Sequence, residues 1–271
     1  MSAQASAPDA PVDAPDSVFE GLKRFNLIMG VFHLVQGIAM IVLSTDFTFT
    51  VTTLYLRAVQ PEEGQLFLEQ NLQDAFDVPF GPAVALFLLI SAVAHFLIAT
   101  VGYDRYVKGL KNNINQARWY EYALSSSLMI VLIGMLVGIY DLSTLILLFG
   151  LNAMMNLFGL MMELHNQTTK KTDWTAYIYG CIAGLIPWIV IILYLVGAAQ
   201  SVDTEVPGFV YAIIASIFVF FNIFALNMFL QYKRIGPWKE YLFGERSYIV
   251  LSLVAKSALA WQIWFGQLQP A

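Results

Sequence analysis

Seven apolar blocks, each 20 or more residues long, leave this chain few ways to fold. They run over residues 17–44, 79–102, 113–139, 142–163, 174–197, 207–232 and 242–266. A helix rises about 1.5 Å per residue, so each block can cross the ~30 Å hydrocarbon core of a bilayer. Within that core every backbone N–H and C=O must be satisfied inside the segment, and this selects helices. The chain as a whole is 58% hydrophobic and 12% charged. The expectation is an all-α membrane protein, a seven-helix bundle in a lipid bilayer over residues 17–271, with no room for a separate soluble domain.

The first sixteen residues, MSAQASAPDAPVDAPD, are rich in Ala, Pro and Asp and carry no Lys or Arg. They resemble neither a signal peptide nor a packed segment, and a disordered tail is expected. The single cysteine, Cys181, excludes an intramolecular disulfide framework. The net charge of -5 comes mainly from this tail and one acidic loop. Nothing in it suggests a nucleic-acid partner, and no metal-ligand set or catalytic constellation of an enzyme stands out.

Of the fourteen Lys and Arg residues, twelve flank one set of block ends, Arg57 alone lies at the other, and Lys256 falls inside the last block. By the positive-inside rule the N-terminus is expected in the cytoplasm and the C-terminus outside, in a multi-pass cell-membrane protein.

Lys256 is the exception that calls for chemistry. It lies in SYIVLSLVAKSALAWQIWFG, roughly 20 Å from the basic end at 1.5 Å per residue. Glu121, in RWYEYALSSSLMIVLIGMLVGI, comes out at roughly 12 to 15 Å on the same scale. Each charge alone in a low dielectric would cost several kcal/mol, so the two are expected to meet near the middle of the bundle. A structural ion pair is one reading. The other is that a lysine amine in an apolar pocket condenses with an aldehyde to form a Schiff base, whose protonated form needs a counter-ion such as Glu121. Aromatic residues at Trp188, in FVFFNIF around Phe221, and at Trp261 suit either ordinary packing or a long, conjugated, apolar ligand.

The strings RWYEYALSSSLMIVLIG, GCIAGLIPWI, VPGFVYAII and GERSYIVLSLVAKSALAWQI resemble heliorhodopsin motifs, across all seven blocks. The inward N-terminus read from the basic residues agrees with the inverted orientation of that family. The resemblance implies all-trans retinal as cofactor, Lys256 as its point of attachment and Glu121 as counter-ion. Ser252 lies four residues before Lys256, and Ser125 four after Glu121, each on the same helical face. His33 and His95, with Gln36 and Ser91 on their faces, read as a polar cavity beside Glu121 that accepts a proton, or as interhelical hydrogen bonds. In the family such histidines are associated with holding a proton. His165 lies in a loop and needs no special role.

What the third block lacks is equally informative. Ordinary light-driven proton pumps place a carboxylate, a hydroxyl residue four positions on and a second carboxylate eleven on; here these are Glu121, Ser125 and Leu132. The stretch LMIVLIGMLVGI offers no ionisable group toward the far end, so no relay out of the bundle is expected. Asn152, Asn156, Asn222 and Asn227 read as interhelical hydrogen bonds. The loop after the first block contains TDFTFTVTTLYLR, whose alternation predicts a short outer β-hairpin. Such a hairpin is either a local cap or, as the resemblance implies, a homodimer contact. The small-residue patterns GMLVG and GCIAG fit close helix packing in any bundle. The expected function is a light-sensing photoreceptor with an unidentified signalling partner on the cytoplasmic side, a step that rests on the resemblance. A light-driven ion transporter and a light-independent membrane scaffold are the alternatives.

Overall fold

The computed structural model describes residues 11–61, 64–201 and 206–270. Among them, seven helices are long and apolar enough to cross a membrane. They are α1 (Asp16–Leu43), α2 (Phe80–Ala99), α4 (Gln116–Leu136), α5 (Leu142–His165), α6 (Thr175–Ser201), α7 (Gly208–Tyr232) and α8 (Tyr241–Ile263), the last continued by a π-helical turn over Trp264–Leu268. Most of the expected tail, residues 1–10, lies outside the described residues; Val12 donates its N–H to Lys111 O at 2.8 Å.

The block expected at 79–102 ends earlier, at Ala99, and a separate helix, α3 (Tyr103–Lys111), follows it. The chain turns at Gly102, where Tyr103 begins a segment that is charged on one face and apolar on the other. Its apolar face, Tyr106 and Leu110, packs against Phe19 and Leu22 of α1 and Leu242 of α8. It therefore lies along the basic end of the bundle rather than crossing it.

The hairpin is longer than the expected short one. Strand β1 (Thr48–Val59) has 12 residues and β2 (Phe67–Pro79) has 13. They pair antiparallel from Thr48 opposite Pro79 to Val59 opposite Phe67, with an irregularity after Val51. The second strand, FLEQNLQDAFDVP, is rich in acids and amides without clean alternation. Its pairing with β1, including Arg57 Nε to Glu69 Oε1 at 2.6 Å, forms a strand that local pattern leaves unmarked. At its base Val51 is buried, and Phe47, Phe49 and Phe80 meet edge to face. Thr52 donates to Tyr140 O at 2.9 Å, tying the hairpin to the turn before α5. Farther out, Leu54, Tyr55, Leu56, Phe67, Leu68 and Leu72 are exposed.

Around the ring, α1 packs on α2 and α8, α2 on α4, α4 on α5, α5 on α6, and α7 on α8. At the α6 and α7 junction the backbones stand apart, and Trp188 bridges it edge to face with Phe218 and Phe221. The hairpin half of the interior is apolar, filled by Met129, Ile130, Leu132 and Ile133 of α4 against Phe87, Leu88 and Ile263. Asn115 caps α4 by accepting from Arg118 N at 3.1 Å, and Asp141 caps α5 by accepting from Thr144 N at 2.9 Å. Hydrogen bonds from Ser143 and Thr144 hold the Asp141 carboxyl below its ordinary value.

The small-residue patterns work inside the bundle. A Cβ on Gly134 would lie 3.0 Å from Leu148 Cδ1, and one on Gly184 would strike Met155. A stiffer obstacle stands elsewhere: a Cβ on Gly159 of α5 would collide with the buried Trp119 ring of α4. Met155 is flexible and can yield, whereas the indole is rigid. Gly159→Ala should therefore cost about 1–3 kcal/mol through overpacking. Gly184→Ala should change stability by less than half as much, and thermal unfolding of the two variants in detergent compares them directly.

Candidate functional site

Two helical periodicities and one pairing build the central site. Lys256 on α8 is 3% exposed, and its Nζ donates to Glu121 Oε1 on α4 at 2.8 Å and to Ser252 Oγ at 2.8 Å. Ser252 lies one turn before Lys256, which is why its hydroxyl reaches the amine. Ser91 on α2 donates to the same Glu121 oxygen at 2.6 Å. Tyr122 presents its ring to the ammonium, 5.2 Å from the centroid. Three helices thus neutralise one buried amine, using a carboxylate, two hydroxyls and an aromatic face.

A narrow cavity of about 40 Å³ starts at Lys256 and is lined by Tyr122, Met129, Met155, Asn156, Phe221 and Phe224, among others. A larger one of about 300 Å³ shares Tyr122, Met155, Asn156, Phe221 and Phe224 with it and extends past Trp188 and Phe218 toward the α6 and α7 junction. The shared walls set the two cavities against each other along an aromatic path that leads away from the amine. The larger cavity falls in the size range of those that hold a small organic ligand, ~300–1,000 Å³. Asn222 lines it and donates to Phe218 O of its own helix at 2.8 Å, so it is no interhelical bond. The other three asparagines do cross between elements: Asn152 and Asn156 donate to Ser126 Oγ at 2.8 and 3.0 Å, and Asn227 donates to Gly244 O at 3.2 Å.

Not every residue singled out in the sequence joins this centre. His33 and His95 stack with ring centroids 5.5 Å apart, and His95 Nδ1 lies 2.8 Å from Asn26 Oδ1. His95, Ser91 and Glu121 line one small cavity together; His33 stands behind His95, fully buried, its ring nitrogens without a hydrogen bond. Gln36 turns instead to Trp261, whose Nε1 donates to Gln36 Oε1 at 3.0 Å, and both side chains are half-buried between α1 and α8. Trp261 meets Trp264 edge to face, lies tilted against Phe265, and lines neither cavity. Ser125 is buried one turn after Glu121. His165, expected in a loop, is instead the exposed last residue of α5, and its Nε2 lies 3.2 Å from Asp173 Oδ2.

The structure also brings together charged residues that sequence position alone reads as helix ends. Arg118, Glu163 and Glu245 are all buried, and Arg118 bridges the two carboxylates from α4 to α5 and α8. Its guanidinium also stacks over Tyr248, 4.0 Å from the ring centroid, and over Trp119 at 4.8 Å. A usable signal was present: Arg118 precedes Glu121 by three residues and so shares its face. The partners, 45 and 127 residues away, carry no local mark.

A family model described as Heliorhodopsin matches residues 22–268. Among solved structures, the chain is similar to a light-driven proton pump, LR (Mac), from Leptosphaeria maculans, at 17% identity and a TM-score of 0.60, over 92% of this chain and 96% of that one. At that identity the likeness speaks for the seven-helix fold alone. No curated protein matches.

The buried trio also sets a stability expectation. Removing the guanidinium leaves two carboxylates facing each other out of water, so Arg118→Leu should destabilise by about 3–5 kcal/mol. Arg118→Lys should recover only part of this, because an ammonium cannot fork between two carboxylates. Thermal unfolding of the three proteins in one detergent checks the order.

Proposed function

The chain belongs to the heliorhodopsin family, and from that premise we propose that it is a light sensor which moves a proton internally without carrying ions across the membrane. The family implies a retinal chromophore; the all-trans isomer and its placement here are part of the proposal. The observation that carries it is the Lys256 Nζ to Glu121 Oε1 contact of 2.8 Å at the closed end of an aromatic passage. The donor set fits: a primary amine for attachment, an anion beside it, and apolar walls for a polyene. Retinal bound at Lys256 Nζ as a Schiff base supplies light absorption and photoisomerisation.

The remaining work belongs to the protein. Glu121 holds the positive charge at Nζ, and Ser252 and Ser91 fix the orientation of the pair. Tyr122, Phe221 and Phe224 exclude water from the passage, with Trp188 at its far part. When the proton leaves Nζ, the polar groups within reach lie toward the basic end, at Glu121, Ser91 and His95. His33 stacks behind His95, and Ser125, buried one turn after Glu121, adds a hydroxyl on that carboxylate's own helix. Toward the hairpin, α4 presents Met129, Ile130, Leu132 and Ile133, none of which carries a proton. A proton crossing would need relay groups on both sides of the amine.

The proposed orientation places the N-terminus and α3 in the cytoplasm and the C-terminus and hairpin outside, following the basic residues. The exposed apolar residues along the outer half of the hairpin, Leu54, Tyr55, Leu56 and Leu68, support a homodimer contact there. A signalling partner would then meet the cytoplasmic end.

Two measurements test this reading. A carboxylate near the amine stabilises positive charge where it sits before excitation, so Glu121→Gln with retinal should absorb to the red of the parent protein. Lys256→Ala should fold and stay colourless; a retained visible band would remove the attachment site. Voltage-clamped membranes containing the protein should show a transient charge movement on illumination and no sustained photocurrent. A steady current would replace the sensor with a transporter.

A further inference from the structure

Among the described residues, the Arg118 trio is the buried charged group that the light reading leaves without a task. Glu245 accepts from Tyr106 Oη at 3.1 Å, from Asn115 Nδ2 at 2.7 Å and from Arg118. Glu163 accepts from Asn115 N at 2.9 Å, from Tyr241 Oη at 3.4 Å and from Arg118. All of these neighbours donate, which suits two ionised carboxylates, and the phenol oxygens of Tyr106 and Tyr241 can turn acceptor to a carboxylic O–H. One guanidinium between two carboxylates then leaves one unit of negative charge buried away from bulk solvent. The other groups facing the trio are aromatic or neutral: Tyr106 from α3, Trp119 and Tyr122 from α4, Tyr232 from α7, and Tyr241 and Tyr248 from α8. Burial, and then Glu245 itself, push the Tyr106 phenol well above its ordinary value, so it stays a donor at neutral pH.

The trio is joined to the central site. A cavity of about 30 Å³, room for one or two waters, is lined at one end by Glu121, Ser252 and His95 and at the other by Asn115, Arg118 and Glu245. Arg118 Nε, buried and without a partner, is an unused donor in its wall. Alongside runs a bridge of hydrogen bonds, His95 to Asn26 at 2.8 Å and Asn26 Nδ2 to Tyr106 Oη at 3.3 Å, which ends on Glu245. An amide passes no proton near neutral pH, so this bridge positions the groups while the water-sized cavity offers the route.

We propose that Glu163 and Glu245, bridged by Arg118, form a proton-accepting station for the proton that leaves Lys256 Nζ. The inference rests on the light reading above and extends it by naming where the proton goes. One N–H bond breaks at Nζ, one O–H bond forms on the carboxyl pair, and the trio passes from one excess negative charge to none. Recovery is the reverse, and no oxidant or second reactant is required. Tyr106 is a positioning residue here, and through it the charge change reaches α3.

Light-minus-dark infrared spectra of the full chain loaded with retinal, recorded together with visible absorption, test this. As the visible band reports loss of the proton at Nζ, a carboxylic C=O band should rise and shift in D2O. It should vanish in Glu163→Gln or Glu245→Gln. Should those variants fail to fold, Glu163→Asp and Glu245→Asp keep the charge and at least one should move the band's frequency. Tyr106→Phe should slow its rise several-fold while leaving the dark visible spectrum in place. Deprotonation without any carboxylic band overturns the station, as does a band unmoved in both Asp variants. A carboxylic band with a sustained photocurrent would retain the station and sink the sensor reading, so the two fail separately.

Discussion

A buried ammonium cannot stand alone in a bilayer, and most of what distinguishes this bundle follows from meeting that demand at Lys256. Unpaired, the charge would cost several kcal/mol. The pairing with Glu121 at 2.8 Å therefore fixes the rotation of α4 against α8, and Ser91 fixes α2 against both. Once those three helices are locked, the aromatic face of α4 and α7 lies beside the amine, and a passage opens along it. The site is as much a product of electrostatics as of apolar packing.

The same logic divides the molecule into two halves. Toward the hairpin, α4 presents Met129, Ile130, Leu132 and Ile133 to an apolar cluster, and the aromatic base of the hairpin closes that end. Toward the basic end, polar atoms run from Glu121 through His95, Asn26 and Tyr106 to Glu245. Such networks are costly unless nearly every member is satisfied, and here Asn115 alone serves α4, α5 and α8 through its backbone N–H, its carbonyl oxygen and its amide nitrogen. An asymmetry of this kind biases any mobile proton toward one face of the membrane. It also gives α3, which contributes Tyr106, a physical reason to respond to events at the centre.

Much of this was legible in the linear chain. The apolar blocks 142–163 and 207–232 correspond to α5 and α7 within two residues at either end, because a membrane span needs a minimum length of apolar residues and that length is a local property. The pairing of Lys256 with Glu121 was legible for a similar reason: few charges lie deep in the blocks, and each must find its opposite. The alternation of Phe47, Phe49 and Val51 marked β1, whereas β2 drew its strand form from its partner and left no pattern to read.

Residue content and spacing by themselves determined the seven spans, the depth of the amine and the absence of an ionisable group in the far half of α4, since these depend on composition and on a fixed rise per residue. Tertiary structure alone decided which polar residues meet. It sent Gln36 to Trp261 rather than to the central cavity, and it turned Arg118, Glu163 and Glu245 inward to one another although each sits near a helix end. The physical reason is that hydrogen bonds and ion pairs depend on the rotation of whole helices about their axes. That rotation is set by contacts summed over the entire bundle, and no local stretch of sequence records it.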